Sequence, residues 1–249
     1  PIFKQYTHIS PSSFLQWLGC NYKAYLIRQS GLPFIPQPSS LYAEIGTCFD
    51  AFVKEFIMKK RNMKIPALKL AYTLDRITHP EAIVEGRLAA VAYVKTPLIH
   101  QFLTASEVFL EQELCTRHGM KDSESAVSIL GRLDAIVDGK VKEWKLRGWG
   151  SQSSPYPGYA DRYDCCYSTG TIMQRPAHNS TSNVVDFSFD WATQLLFYNW
   201  LLRDYTREYE IHEIVKKDDG IVIVQHKGSI NEDFEKQIGN LLHMMWENL

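Results

Sequence analysis

The sequence predicts an α/β fold, in which a central mixed β-sheet is flanked by helices, within a single domain of 249 residues. Three observations support this prediction. Apolar residues recur at helical spacing through the N-terminal part of the chain. Two strand-like runs, Val127–Val137 and Lys140–Leu146, flank the pair Asp138-Gly139, which is typical of a hairpin because both turn residues tolerate positive φ. Two further strand-like runs lie between two helical segments, and this order predicts helices packed on a sheet.

The first part of the chain, residues 1–105, is predicted to be helical. The pair Ser10-Pro11 is a suitable helix start, because serine can cap the helix and proline suits its first position. A long helix is predicted over Leu41–Arg61. Pro80 and Pro97 then mark the starts of further helices, since proline is tolerated in a first turn but not in a helix interior.

The remainder, residues 106–249, is predicted to carry the sheet. A strand from Val108 to Cys115 precedes the hairpin. The stretch Trp149–Asp186 has no clear period and is rich in Ser, Tyr, Pro, Gly and Asn, so we predict a long loop, which is uncommon unless functional or disordered. The elements predicted after this loop are a helix from Trp191 capped by Asp190, the strands Glu208–Val215 and Ile221–His226, and a closing amphipathic helix from Asn231.

Composition places the chain among soluble globular proteins, with 45% hydrophobic and 22% charged residues. No run of about 18 apolar residues is present, so we expect no membrane span, and the first residues lack the pattern of a secretory signal. The five cysteines are odd in number and include no C-x-x-C pair. They therefore argue against a disulfide framework and favour a cytoplasmic location.

A net charge of −1 means that any surface for nucleic acid must be a local one. The stretch Lys54–Lys69 is the basic candidate, although a solvated helix face explains it equally well. Tyrosines of the predicted loop could stack on unpaired bases, with ordinary loop packing as the alternative. They are Tyr156, Tyr159, Tyr163 and Tyr167.

The predicted hairpin brings acidic and basic side chains together. Counting outward from the two-residue turn, Asp134 faces Glu143 and Arg132 faces Lys145, all on one face of the strands. Directly opposed Cβ atoms lie about 4.5–5.5 Å apart, so both carboxylates can hold one Mg²⁺ ion. The adjacent lysine would assist a water molecule or stabilise charge on a phosphate. The alternative is that Arg132 and Lys145 only neutralise the acids as cross-strand ion pairs.

These residues carry a resemblance to a known superfamily. The run Leu130-Gly131-Arg132-Leu133-Asp134, followed by Glu143-Trp144-Lys145, resembles the core signature of the PD-(D/E)XK nucleases. Gly46-Thr47-Cys48-Phe49-Asp50 resembles the G-x-x-x-H helix motif of the RecB-like exonuclease branch, with aspartate in place of histidine. Gln194-Leu195-Leu196-Phe197-Tyr198 resembles its Q-x-x-x-Y motif, and the opening Ile9-Ser10-Pro11-Ser12-Ser13-Phe14 with Cys20 is loosely similar to its first helix.

The resemblance implies a restriction-endonuclease-like αβββαβ core preceded by extra helices. It implies Asp134, Glu143 and Lys145 as catalytic residues, with Gln194 and Tyr198 as substrate-binding residues. The expected metal is Mg²⁺, with Mn²⁺ as an acceptable substitute. The implied metal ligands are Asp50, Asp134, Glu143 and the backbone carbonyl of Trp144.

Each helix motif also has a purely structural explanation. Asp50 shares an apolar stripe with Val53 and Ile57 and needs a partner there, which a basic residue can supply as well as a metal. Tyr198 can be a core tyrosine, and Gln194 can hydrogen-bond a backbone group.

Some members of the branch hold an iron–sulfur cluster, which needs one cysteine near the N-terminus and three near the C-terminus. Cys20 matches the first of these positions, but no cysteine follows Cys166. We therefore expect no iron–sulfur cluster.

The expected function is a metal-dependent DNA nuclease, and an exonuclease rather than an endonuclease. It would act in DNA recombination or repair with a recombination or helicase partner. Two alternatives stay open: a catalytically silent nucleic-acid-binding module on the same fold, and a hydrolase of another substrate, such as a glycosidase with paired carboxylates. The intact acid, acid and lysine set argues against the first, and the lysine and helix motifs have no role in the second.

Overall fold

The computed structural model describes residues 8–20, 39–63, 69–118, 127–149, 156–157, 160–168, 171–176, 186–187, 189–218, 220–230 and 232–247. The helices in these ranges are α1 (Pro11–Gly19), α2 (Leu41–Lys60), α3 (Lys69–Leu74), α4 (Pro80–Val94), α5 (Ile99–Thr104), α6 (Phe189–Leu202) and α7 (Glu232–Glu247). The strands are β1 (Val108–His118), β2 (Val127–Val137), β3 (Lys140–Arg147), β4 (Tyr156–Pro157), β5 (Ala160–Ser168), β6 (Thr171–Pro176), β7 (Asp186–Phe187), β8 (Glu208–Lys217) and β9 (Gly220–Ile230).

The predicted α/β fold with a mixed sheet is confirmed. The large sheet has the order β1-β2-β3-β8-β9-β5-β6, while β4 and β7 pair separately. Every neighbouring pair in the large sheet is antiparallel except β3 and β8, which run parallel. Helices cover both faces. α1, α6 and α7 share one core cluster with the sheet, and α2, α4 and α5 share the other.

One prediction about the architecture is wrong. The stretch 149–186, predicted as a long irregular loop, contains β4, β5, β6 and β7. Because β5 pairs with β9 and β6 pairs with β5, this part of the chain extends the sheet. Its strands lack the two-residue alternation by which a strand is recognised in a sequence. Of the four tyrosines singled out there, Tyr159 and the side chains of the other three lie outside the described part of the structure.

Local signals start α1 and α4 as predicted, whereas α5 begins at Ile99 and α6 at Phe189, so that Asp190 lies in the first turn of α6 and does not cap it. Ser10 forms a reciprocal capping box at the start of α1, and the Ser40 side chain caps α2. At the start of α4, the Glu44 carboxylate of α2 accepts hydrogen bonds from the backbone N–H groups of Thr78 and His79 at 3.0 and 2.8 Å. The Thr78 hydroxyl and these backbone groups lower the pKa of Glu44 to about 2. The carboxylate therefore ties α2 to the first turn of α4.

The helix α6 is surrounded by protein on nearly all sides. Between Ala192 and Leu201, Gln194 is the one residue that is not buried. The helix packs between the sheet and the helices α1 and α7, in one continuous apolar cluster. Among the helices of the described ranges, none is both long and apolar enough to cross a membrane.

The strands β2 and β3 separate after a short ladder. The predicted register is confirmed for three pairs, from Val137–Lys140 to Ala135–Lys142, around a turn in which both Asp138 and Gly139 have positive φ. From Glu143 onward β3 pairs with β8 instead. On the far side of the gap, β2 is joined by Ile9, whose N–H and C=O bond to β2 at 2.8 and 3.0 Å. The sheet therefore opens between β2 and β3, and Ile9 fills part of the opening.

The strand β2 also changes faces at Asp134. Leu133 belongs to the core cluster with α6, whereas Ala135 belongs to the cluster with α2. Residues two apart in a regular strand share a face, so the strand turns over between them. The neighbouring strand β1 shows the same change, because Leu114 packs on the first cluster and Leu110 on the second. Between these two leucines, Glu111 has φ of 55°, a conformation that is costly for a residue with a side chain.

A layer of polar side chains fixes β3 to β8 on the face covered by α4 and α5. Lys142 pairs with Glu210, which also accepts hydrogen bonds from His212 Nε2 at 2.7 Å and from Gln225 at 2.6 Å. The Tyr93 hydroxyl lies 2.6 Å from the other ring nitrogen of His212. Because these buried groups satisfy one another, the layer sets the parallel register of β3 and β8 beside Glu143.

The approach of α2 to α4 depends on Gly86. A Cβ at this position would lie 2.5 Å from Cys48 Cβ, 2.8 Å from the Phe49 backbone nitrogen and 2.9 Å from the Ile45 carbonyl oxygen. Two of these neighbours are backbone atoms and cannot rotate away. Since α2 also carries Asp50, this contact sets the distance of that residue from the sheet.

We predict that Gly86→Ala lowers the free energy of unfolding by about 1–3 kcal/mol, because α2 and α4 must move apart. Urea denaturation measures the change. Gly239→Ala on α7 is the matched control, since a Cβ there meets no atom within 4 Å. It should raise stability by about 0.5–1 kcal/mol through the better helix propensity of alanine. Equal effects of the two substitutions would contradict the proposed contact.

Candidate active site

The opening between β2 and β3 brings the predicted acids together. The Asp134 N–H, which has no partner in the β2–β3 ladder, points to Glu143 Oε1 at 3.4 Å. The Glu143 side chain is 1% exposed, whereas that of Asp134 is 33% exposed. The two carboxylates therefore differ in their environment: one is enclosed and the other reaches solvent.

Lys145 is held beside Glu143 by a chain of hydrogen bonds. Its Nζ lies 3.3 Å from Glu143 Oε2 and donates to Gln194 Oε1 at 2.6 Å. Gln194 Nε2 donates to the Tyr198 hydroxyl at 2.6 Å, and that hydroxyl donates to the Arg132 carbonyl at 3.0 Å. The i, i+4 spacing of Gln194 and Tyr198 on α6 thus links the lysine on β3 to the backbone of β2 across the opening.

Asp50 lies on the other side of Asp134. The helix α2 places it one turn before Lys54, whose Nζ is 2.5 Å from Asp50 Oδ2. The same ammonium lies 3.5 Å from Glu111 Oε1 and 3.8 Å from Asp134 Oδ1. Asp50 Oδ1 is buried and has no hydrogen-bond partner among the described residues.

Burial and the nearby charge of Asp134 disfavour the ionised forms of Glu143 and Asp50. Burial, together with the charge of Asp134, raises the pKa of Glu143 to about 8. Burial also raises the pKa of Asp50 to about 6, against the opposing effect of Lys54. Burial and the charge of Glu143 raise the pKa of Tyr198 well above its ordinary value, so this residue acts as a neutral hydroxyl. A bound cation would relieve the cost of ionising the two acids.

The residues present fit a hard divalent cation. In the described part of the chain, no group of three or more His, Cys, Asp or Glu side chains forms a metal shell by itself. Mg²⁺ is often bound by one or two carboxylates plus water and a substrate phosphate. Asp134 and Glu143 supply such a pair, and the unpaired Oδ1 of Asp50 is a further oxygen donor nearby.

The Trp144 carbonyl is placed toward the opening by strand geometry. Backbone groups of residues two apart in a strand point the same way, and Lys142 is the last residue of β3 to pair with β2. In a two-residue hairpin the flanking pair, here Val137 and Lys140, is hydrogen-bonded, and so is the pair two residues further on, Ala135 and Lys142. The backbone N–H and C=O of Lys142 therefore point to β2. The carbonyl of Trp144 therefore points to the side from which β2 has departed.

The predicted position of Arg132 on the same face as Lys145 is wrong. It was expected on one face with Lys145, but its guanidinium lies 2.9 Å from Glu111 and its side chain is 63% exposed. The change of faces at Asp134 explains the difference, since alternation counted through that residue gives the wrong side. Arg132 still contributes its carbonyl to the hydrogen bond from Tyr198.

The predicted basic surface over Lys54–Lys69 is also corrected in part. Lys54 is buried, and Arg61 donates hydrogen bonds to the Phe102 and Ala105 carbonyls at 2.8 Å. Neither residue is available to a phosphate backbone. Lys59 and Lys60 are exposed, while Lys64 and the Lys69 side chain lie outside the described part.

Two residues of the site were missed by the sequence analysis. Glu111 faces the cluster from β1, and its place depended on the β1–β2 register, which no short turn fixes. Lys54 was identified only as part of a basic run. Its i, i+4 spacing from Asp50 was the available signal, and the pairing of Asp50 with a basic residue was the alternative kept for that motif.

A cavity of about 380 Å³ adjoins the hydrogen bonds that link Lys145, Gln194 and Tyr198, on the side of α1. Gln194 and Tyr198 form part of its wall and so connect it to Lys145. The other residues around it are Ser10, Pro11, Ser12, Leu15, Glu113, Leu130, Gly131, Arg132 and Asp190.

Comparison with known proteins adds little to this geometry. No protein-family model matches the chain, and no curated protein matches it. Among solved structures, one similar chain is described as "Crystal structure of SSO0001", with 14% identity, coverage of 81% of this chain and 74% of that chain, and a TM-score of 0.31. A likeness of that size carries no argument about family or activity.

We predict that, in EDTA, stability falls as pH rises from about 7 to 8. The pKa of Glu143 is raised to about 8 in the folded chain, so the folded state keeps a proton that the unfolded state has released. Its contribution is complete below the ordinary glutamate pKa and is lost as pH passes 8. Thermal melts of Glu143→Gln should be flatter over this range, whereas Glu81→Gln, on the exposed side of α4, should keep the wild-type slope. A Glu143→Gln slope as steep as that of the wild type would contradict the assignment.

Proposed function

We propose that the protein is a metal-dependent DNA nuclease that hydrolyses phosphodiester bonds. The observation that carries this proposal is the meeting of Asp134, Glu143 and Lys145 at the opening between β2 and β3. Gln194 on α6 accepts a hydrogen bond from the lysine and so anchors it from outside the two strands. A structural ion pair needs no such anchor, whereas a reacting ammonium does, because small errors in its position slow a reaction strongly.

Lys145 has the chemistry to act on a phosphate or on the attacking water. A lysine ammonium has three N–H donors, and among the described residues Glu143 and Gln194 accept two of them. The third is left for the substrate. In a partly enclosed site, such a charge stabilises the negative charge that builds up on the phosphate oxygens.

Asp134, Glu143, the Trp144 carbonyl and Asp50 Oδ1 are the proposed metal ligands, with Mg²⁺ as the metal and Mn²⁺ as a substitute. A divalent ion bound there would polarise the phosphate and lower the pKa of water. The different exposure of the two central acids suits this arrangement. The enclosed Glu143 fixes the position of the ion, and the more exposed Asp134 leaves room for a phosphate.

The substrate is proposed to be DNA, and the action exonucleolytic, as the resemblance to the RecB-like branch implies. Gln194 and Tyr198 would position both Lys145 and the DNA strand, since both residues border the adjoining cavity. The same resemblance implies a role in recombination or repair with a recombination or helicase partner, and the cysteine content favours the cytoplasm.

The activity is tested with linear and covalently closed DNA of the same sequence in Mg²⁺. We predict that the wild type degrades the linear form, that Asp134→Ala abolishes degradation, and that Lys145→Ala lowers the rate by roughly 10²–10⁴-fold. Asp233→Ala, which removes an exposed carboxylate of α7, is the control and should match the wild type.

Cleavage of both DNA forms in an Asp134-dependent manner would make the enzyme an endonuclease with the same chemistry. Cleavage of neither form in Mg²⁺ or Mn²⁺ by well-folded protein would contradict the proposal and favour a silent nucleic-acid-binding module.

We predict separately that Gln194→Leu lowers kcat by roughly 10²-fold, because Lys145 loses its anchor, and raises KM by a smaller factor, because Gln194 also borders the adjoining cavity. Single-turnover and steady-state rates measure the two constants. Gln237→Leu, at an exposed position of α7, is the control. A raised KM with unchanged kcat would instead assign Gln194 to strand binding alone.

A further inference from the structure

A lysine is enclosed in the acidic cluster of the proposed site. The Lys54 ammonium contacts Asp50 at 2.5 Å and lies within 4 Å of Glu111 and Asp134. Its side chain is 6% exposed, and its Nζ lies 5.8 Å from the centroid of the Trp144 ring. A buried ammonium is stable only with such compensation from carboxylates and an aromatic face. The cluster is therefore built around a cation supplied by the chain itself.

With Lys54 in place, the described carboxylates around it do not form a metal shell. Without its ammonium, the space between them is one that a metal ion could take. Oxygen atoms of α2, β1 and β2 converge on it from three elements. On the other side of Asp134, Glu143 and Lys145 form the remainder of the site. Asp134 thus stands between two cation positions, one filled by an ammonium and the other open to a metal.

The charges around the two positions favour a single metal ion. When all of them are ionised, as metal binding would require, the four carboxylates and three cationic groups here sum to one negative charge. One divalent ion and one phosphodiester anion bring the sum to zero, whereas two divalent ions leave two positive charges in a partly buried space. The carboxylates are Asp50, Glu111, Asp134 and Glu143, and the cationic groups are Lys54, Arg132 and Lys145.

We propose that the Lys54 ammonium takes the place of a second metal ion and limits the site to one divalent cation, bound on the Glu143 side of Asp134. The inference rests on the proposed nuclease function, because it presupposes a metal at Asp134 and Glu143. Lys54 is a positioning residue in this scheme. It holds Oδ2 of Asp50 and neutralises Glu111 Oε1 and Asp134 Oδ1. Oδ1 of Asp50 and the remaining oxygens of Asp134 and Glu143 would face the single ion.

The test is the number of Mn²⁺ ions bound by the full-length, metal-stripped chain, measured by isothermal titration calorimetry and by electron paramagnetic resonance. We expect one Mn²⁺ per wild-type chain. Lys54→Met keeps the length of the side chain but removes its charge, and it should bind two ions with the spectrum of a spin-coupled pair. Lys54→Arg keeps the charge and should still bind one. Lys59→Met, at a position that is 64% exposed on the same helix, is the matched control and should also bind one.

Two ions in the wild type, or one ion in a folded Lys54→Met, would overturn the inference while leaving the nuclease proposal intact. If Lys54→Met does not fold, the wild-type stoichiometry and the Lys54→Arg spectrum still distinguish one bound ion from two. Failure of the wild type to bind Mn²⁺, or binding that Asp134→Ala leaves unchanged, would overturn the proposed function and this inference with it.

Discussion

The site depends on the exchange of partners by β3 between Lys142 and Glu143. Up to Lys142 this strand is paired with β2, and from Glu143 it is paired in parallel with β8. The exchange leaves backbone groups of β2 without a strand partner at Asp134, where the Glu143 side chain stands in for the missing backbone. A closed ladder would satisfy those groups but would leave no room for a metal or a phosphate. The same separation that weakens the sheet therefore creates the site.

The other elements stabilise this opening from three directions. The polar layer around Glu210 holds β3 against β8, so β3 cannot return to β2. Ile9 occupies part of the free edge of β2 and keeps it from fraying. The hydrogen bonds from Lys145 through Gln194 and Tyr198 to the Arg132 carbonyl then fix the distance across the gap. Because the last of these links uses a backbone carbonyl, it does not depend on which side chain residue 132 carries.

The sequence predicted the fold well where the signals were local. The Asp138-Gly139 turn led to three correct pairs and placed Glu143 near Asp134, since a two-residue turn determines the register of the residues beside it. The prediction failed for Arg132 because alternation along a strand assumes that the strand does not turn over. The change of faces at Asp134 coincides with the positive φ of Glu111 on the neighbouring strand β1, and a local rule applied to β2 alone does not include that residue. The strands within 149–186 were missed for a related reason, as their pairing with β9 is a long-range contact.

The enclosed Lys54 shows how such a site can be both stable and reactive. Four converging carboxylates would repel one another strongly without counter-charges, and the folded chain must survive before any metal is bound. Built-in ammonium and guanidinium groups lower that repulsion, but each one also competes with the metal for the same oxygens. We therefore expect the arrangement to lower the affinity for a metal while it stabilises the metal-free chain. The partly exposed Asp134 affects both the stability of the metal-free chain and the affinity for a metal, because Lys54 and a bound ion would share this carboxylate.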